Sequence, residues 1–192
     1  VLKAGVWADE LGAAQAGAAR GSIQNSIQAK APEVADLNAP SGSVHVIGVL
    51  EGKIITERRV MAHDAPGVAR LSVLERYGHG SKPANGYVQG GGESGDCASA
   101  SSVGHDSHNL IAVGSKTSDM RVAMSALIGS GGGFCVVKGG QVASLLPLPF
   151  GGLMSDQAPG ALKNSIECLK TASRAIGCEL EEPFLQLAFL SL

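Results

Sequence analysis

Phe134-Cys135-Val136-Val137-Lys138-Gly139-Gly140-Gln141-Val142-Ala143-Ser144-Leu145-Leu146 is the stretch on which the fold class turns. Two apolar runs, the first rich in β-branched residues, flank a Gly-Gly pair. Glycine enters the positive-φ region freely, so the pair suits a type I′ or II′ turn joining two antiparallel strands. A similar pattern lies about 90 residues upstream. There Val44-His45-Val46-Ile47-Gly48-Val49-Leu50 reads as a strand, Glu51-Gly52 as a tight turn, and Lys53 to Arg58 as the partner strand. The likeness of the two hairpins hints at a two-fold pseudo-repeat of sheet-and-helix halves.

Working outward, Ala69 to Arg76 and Leu110 to Gly114 read as further strands, with a short one near Gly86 to Gln89. Ser99 to Val103 is small and apolar, which suits a buried turn or short helix. Met120, Ala123, Met124, Leu127 and Ile128 share one face of a helix that Ser118 caps, with Asp119 in its first turn. Leu162, Ile166, Leu169 and Ile176 mark the buried face of a last helix, which Gly177 stops. Pro183 to Leu192 reads as a final strand. The expected class is α+β, with mixed sheets built from hairpins and helices packed on them. Residues 1–38, Ala-rich and interrupted by Gly, hold at most a weak helix from Asp9 to Ala19. The turn residues Ala39 to Ser43 place the start of the folded domain at 39, giving a domain over 39–192.

Composition narrows function. Hydrophobic residues make up 44%, enough for a sizeable core at 192 residues, and Gly, at 27, is about twice its usual share. The formal net charge is −2, and one Trp, two Tyr and four Phe supply few stacking surfaces. Neither favours a nucleic-acid partner. No apolar run reaches the ~20 residues of a membrane span, and no secretory leader is visible. Cys97, Cys135, Cys168 and Cys178 form no C-x-x-C pair and read as buried thiols of a reducing compartment, so the expected location is cytoplasmic. The chain begins at Val1 without Met and stops in Phe189-Leu190-Ser191-Leu192; both ends read as cut.

The densest polar segment is His105-Asp106-Ser107-His108-Asn109. Imidazoles serve as acids, bases or ligands near neutral pH, and a neighbouring carboxylate fixes their tautomer. The competing reading is a turn whose Asp, Ser and Asn side chains satisfy nearby backbone groups. Two imidazoles alone do not make a metal shell, and no third ligand is evident. The zinc-deaminase, H-E-x-x-H and G-x-S-x-G signatures are absent. Glu75-Arg76, at a strand end, is either a reach toward a site or an exposed ion pair. His79 is expected in solvent, and His45 and His63 have no assigned role. Gly90 to Gly92 and Gly131 to Gly133 continue into no phosphate-binding motif.

Several blocks, in order across residues 44–190, resemble the C-terminal domain of adenine deaminases. They are Val44 to Val49 with Ile54-Ile55-Thr56-Glu57, Val73-Leu74-Glu75-Arg76-Tyr77-Gly78, and Ala100-Ser101-Ser102-Val103-Gly104-His105-Asp106-Ser107-His108-Asn109 continuing to Gly114. Gly131 to Gly140, Leu146-Pro147-Leu148-Pro149-Phe150-Gly151-Gly152-Leu153-Met154-Ser155 and Glu182-Pro183-Phe184 complete the set. Residues 1–38 match poorly and read as a join to a preceding domain. Tyr77-Gly78-His79-Gly80 departs from the family pattern, in which a second basic residue or His follows Glu-Arg.

The resemblance implies a homo-oligomeric parent in the amidohydrolase superfamily, serving purine salvage by hydrolysing adenine to hypoxanthine and ammonia. It places manganese or iron in a barrel domain that precedes this one. The implied fragment holds no catalytic residue and no metal of its own. Its contribution would be to complete the barrel's site toward a purine through His105, Asp106, Ser107, His108 and Asn109, with Glu75 and Arg76. The alternative is a structural, oligomerisation or purine-binding regulatory domain without catalysis.

Overall fold

The computed structural model describes residues 2–3, 5–7, 25–80, 82–92 and 94–191. The expected helix from Asp9 to Ala19 lies outside them. Strands β1 (Leu2–Lys3) and β2 (Val6–Trp7) form a small antiparallel pair of their own. The body is one eight-stranded sheet of β3 (Ser43–Val49), β4 (Thr56–Ala62), β5 (Val68–Leu74), β6 (Ala84–Gln89), β7 (Cys97–Ser101), β8 (Leu110–Gly114), β9 (Gly133–Lys138) and β10 (Gln141–Pro147). Their spatial order is β10-β9-β7-β8-β5-β6-β3-β4. Every neighbouring pair is antiparallel except β3 and β6, which makes the sheet mixed.

Helices cover both faces. Side chains alternate across a strand, so Ala98, Ala100, Ala112, Cys135 and Val137 point to one side. There they pack against Met120, Ala123, Met124 and Leu127 of α1 (Thr117–Ser130). The alanines of β7 and β8 leave the room that the methionines fill. On the opposite face Val136 and Cys97 meet Leu169 of α2 (Pro159–Ala175) and Ile176 just beyond it. Ile111 and Val113 meet Leu187 and Leu190, in and just after α3 (Pro183–Phe189). With helices on either side, β7 and β8 are buried along their whole length.

Both hairpins form, but not quite as expected. Gly139 and Gly140 take φ of 57° and 78°, as a type I′ turn requires. In the first hairpin the partner strand runs over Thr56–Ala62, not Lys53 to Arg58. The chain turns at Leu50 to Lys53, and Ile54 and Ile55 remain exposed outside the ladder. The hairpins occupy opposite edges of a single sheet. A helix follows β10, whereas another strand follows β4, so the surrounding elements do not repeat.

Three other expectations change. Ser99 to Val103 belongs largely to strand β7, whose small residues fit a position covered on both faces. Pro183 opens a helix rather than a strand; its fixed φ suits a first helical turn, and Phe184, Leu187 and Leu190 then fall on one face. The N-cap of α1 is Lys116 and not Ser118. Ser118 Oγ instead donates to Asp119, whose buried carboxylate also accepts the Gly140 N–H at 3.2 Å. Packing also extends upstream of residue 39: Ile27, Ala29 and Leu37 lie in the α1-side core. Cys97, Cys135 and Cys178 are buried as expected, whereas Cys168 is exposed. No described helix is long and apolar enough to cross a membrane.

Candidate functional site

The C-terminal ends of β5 and β7 and the N-terminal ends of β8 and β9 lie together at one end of the sheet. Four connections converge there. The loop 102–109 joins β7 to β8, residues 75–80 follow β5, Gly131-Gly132 leads into β9, and Leu148 to Met154 follows β10.

Two buried side chains knit these connections together. Ser102 is fully buried; its Oγ donates to Gly152 O and accepts the Gly133 N–H, each at 2.7 Å. The backbones pass too closely for side chains. A Cβ on Gly132, at φ 108°, would stand 2.5 Å from Gly152 Cα and 2.6 Å from Ser102 Oγ. Arg76 is the other tie, only 2% exposed. Its Nη1 donates to His108 O at 2.9 Å and its Nη2 to Ser26 Oγ at 2.6 Å, with a further short bond from Nη2 to Gly151 O. Its backbone N–H reaches Asn109 Oδ1 at 3.4 Å, and its carbonyl accepts the N–H groups of Gln28 and Ala29. Burial lowers the guanidinium pKa from its ordinary value.

Arg76 is therefore not an exposed ion-pair member: its guanidinium is buried and bonded to protein groups. Glu75 diverges from it. Its carboxylate accepts the N–H of Tyr77 at 2.6 Å and of His79 at 3.1 Å, closing the loop that follows β5. It also borders a cleft of about 330 Å³ shared with Gln28, Lys30, Gly78 and Lys82. His79 is exposed, its Nδ1 3.4 Å from Glu75.

The loop from His105 to Asn109 is split by orientation. His105 and Asp106 face outward as a pair, with Nδ1 and Oδ2 3.2 Å apart and the Asp106 side chain 81% exposed. His105 is tied to α3 through its N–H to Ala188 O, and its ring lies against Phe189 at 5.4 Å between centroids. Ser107 is exposed, its N–H bonded to His105 O. His108 is half-buried, and its Nδ1 is enclosed without a hydrogen-bond partner among the described residues. Asn109 is spent on the Arg76 backbone. The structure thus brings His105 and Asp106 together, turns His108 and Asn109 toward Arg76, and places Glu75 elsewhere.

The backbone of this loop is unusual. Among the described residues seventeen glycines adopt positive φ, but the only other residues to do so are Asp106 at 63° and His108 at 50°. Asp and His tolerate that region better than most residues, yet glycine is what this chain uses everywhere else. Ser26, Ser102, Gly151 and Gly152 were not among the sequence candidates. The Gly131–Gly133 and Gly151-Gly152 runs mark the close backbone approach around Ser102, and no local signal marks Ser26.

One mixed sheet between helices, with a polar loop cluster at one end, defines an α+β domain. Among the described residues no group of three or more His, Cys, Asp or Glu side chains is placed to hold a metal ion.

Residues 50–192 match the family model of the adenine deaminase C-terminal domain, and the chain belongs to that family. The adenine deaminase of Shewanella halifaxensis (strain HAW-EB4) is 41% identical to it over 205 residues, covering 100% of this chain and 35% of that protein. That of Bdellovibrio bacteriovorus is 44% identical over 162 residues, covering 81% of this chain and 27% of the relative. That of Methylobacterium sp. (strain 4-46) is 44% identical over 183 residues, covering 90% and 32%. The chain spans about a third of the length of these curated relatives.

Proposed function

We propose that this chain is the C-terminal part of an adenine deaminase that hydrolyses adenine to hypoxanthine and ammonia, and that its 105–109 loop completes the active site of a preceding domain. The preceding domain in this reading is an amidohydrolase barrel. It carries the divalent manganese or iron that supplies an activated water. Among the described residues of this chain no three His, Cys, Asp or Glu side chains stand together to hold such a metal. A cytoplasmic, homo-oligomeric enzyme of purine salvage is the setting this implies.

The observation that carries the proposal is the conformation of Asp106 and His108. Strained positions that glycine would relieve are kept by side chains where those side chains have work to do. His105 and Asp106, paired and turned outward, are the groups available to a purine or to the barrel mouth.

The test uses the full-length deaminase that carries this segment. Replacing His105 and His108 by Ala is expected to lower kcat about 100-fold, the scale on which a lost positioning or proton-handling group acts. The thermal midpoint and the native mass should hold. Wild-type turnover in both variants overturns the reading. The 192-residue chain alone is expected to deaminate nothing, and turnover by it, free of contaminating deaminase, would also refute the proposal.

A second reading is favoured by a different observation. Ile54, Ile55, Val60 and Leu185 are large, apolar and more than half exposed. Such a surface suits a domain or subunit contact. If the His variants lose assembly and retain residual chemistry, the structural role is the correct one.

A further inference from the structure

A buried guanidinium usually faces a carboxylate. Among the described residues Arg76 makes no salt bridge, and the partners of its terminal nitrogens are a hydroxyl and two carbonyls, with Nε left unbonded. An apolar side chain would fill this space without a desolvated charge. What it could not do is hold three segments that are distant in sequence, at Ser26, His108 and Gly151, from one planar fork of donors. The loop held in this way needs a brace from outside, because two of its residues lie in the left-handed region that side chains disfavour. The bond to His108 O orients the peptide between His108 and Asn109. The Asn109 side chain returns to the Arg76 N–H, so one residue grips the loop at two consecutive positions.

We propose that Arg76 is a positioning residue: it holds the 105–109 loop so that His105 and Asp106 face outward, and it does not touch substrate itself. The catalytic part of this inference rests on the reading that the loop completes an active site.

Amide hydrogen exchange on the 192-residue chain and steady-state kinetics on the full-length deaminase test it together. Arg76→Lys keeps the charge but loses the fork, and Ser26→Ala removes one acceptor while leaving Arg76 in place. Both are expected to speed exchange of the His105 and Ser107 amides, about tenfold for Arg76→Lys and less for Ser26→Ala. Exchange in β7 and β8 should be unchanged. In the full-length enzyme kcat should fall in the same order while KM moves little, and Ser26→Thr, which keeps the hydroxyl, should restore both readouts. If Arg76→Lys does not fold, the Ser26 pair carries the test.

Unchanged exchange at 105–109, or an equal rise throughout the sheet, overturns the positioning role. Faster loop exchange, in an enzyme whose His105 and His108 variants retain full turnover, upholds the brace and removes the active-site reading instead.

Discussion

Asp106 offers a sign test of the strain on which the functional reading rests. At an ordinary loop position with negative φ, Ala is more stable than Gly by about 0.4–1 kcal/mol, because Gly gains more freedom on unfolding. At Asp106, with φ of 63°, a Cβ meets the penalty of the left-handed region, roughly 1–2 kcal/mol for an ordinary L-residue. Both substitutions remove the same carboxylate, so loss of its exposed contact with His105 cancels in the comparison. The difference leaves Asp106→Gly more stable than Asp106→Ala by about 0.8 kcal/mol at the midpoints of the two ranges, and by at most about 1.6, the reverse of the usual ranking. Urea unfolding of the 192-residue chain, with both variants at equal slope, measures it. Ser107 is the control: it is exposed, its φ is not positive, and Ala should win there. If Ala is the more stable choice at 106 as well, position 106 carries no strain and its side chain is no mark of function.

Other perturbations report on the architecture. Gly133→Ala should cost more than about 4 kcal/mol or abolish folding, since at φ 136° its Cβ would lie 1.9 Å from Leu146 O in the paired strand. Ser102→Ala should cost about 2–4 kcal/mol in the same assay, by depriving Gly152 O and the Gly133 N–H of their Ser102 partner. Burial pushes the Cys135 thiol up to about 12, so at pH 8 a thiol reagent should label exposed Cys168 and reach Cys135 only on unfolding. The same shift gives a stability term that is fully present below about pH 9. It is lost as pH rises toward 12, because the unfolded chain releases a proton that the folded chain keeps. Unfolding midpoints across that range in wild type and Cys135→Ala check the sign.

Periodicity carried the sheet and the long helices because their burial is one-sided or their turns are glycine-marked: β9 and β10 about Gly139-Gly140, and α1 along Met120, Met124 and Leu127. It failed where burial is two-sided. Cys97-Ala98-Ser99-Ala100-Ser101 has no β-branched residue, and its serines are buried along with its alanines, since α1 covers one face and α2 and α3 the other. The segment after Pro183 is too short and too apolar for pattern alone to separate helix from strand. In the site, the segment 105–109 and Arg76 were visible as polar residues in an apolar setting. That Arg76 is buried and that Ser26 and Ser102 join the cluster depend on contacts between residues 31 to 125 positions apart. No local spacing encodes those.

The joint between β3 and β6 has a consequence for how copies of the chain meet. It is the sheet's one parallel pairing and registers only Ile47 with Val88 and Gly48 with Gln89, whereas β3 and β4 pair along their full length. On partial opening of the sheet at this joint, the β3–β4 hairpin would leave as a unit and bare the edge of β6. An uncovered edge accepts a strand from any source, including the same hairpin of a second copy. The outer edge of β4 carries Glu57, Arg58 and Arg59, which guard the closed form, but no such charges lie along Gly86-Tyr87-Val88. Storage at high concentration should therefore promote strand exchange across β6 wherever the hairpin loosens, and that exchange is the route by which this domain would dimerise wrongly.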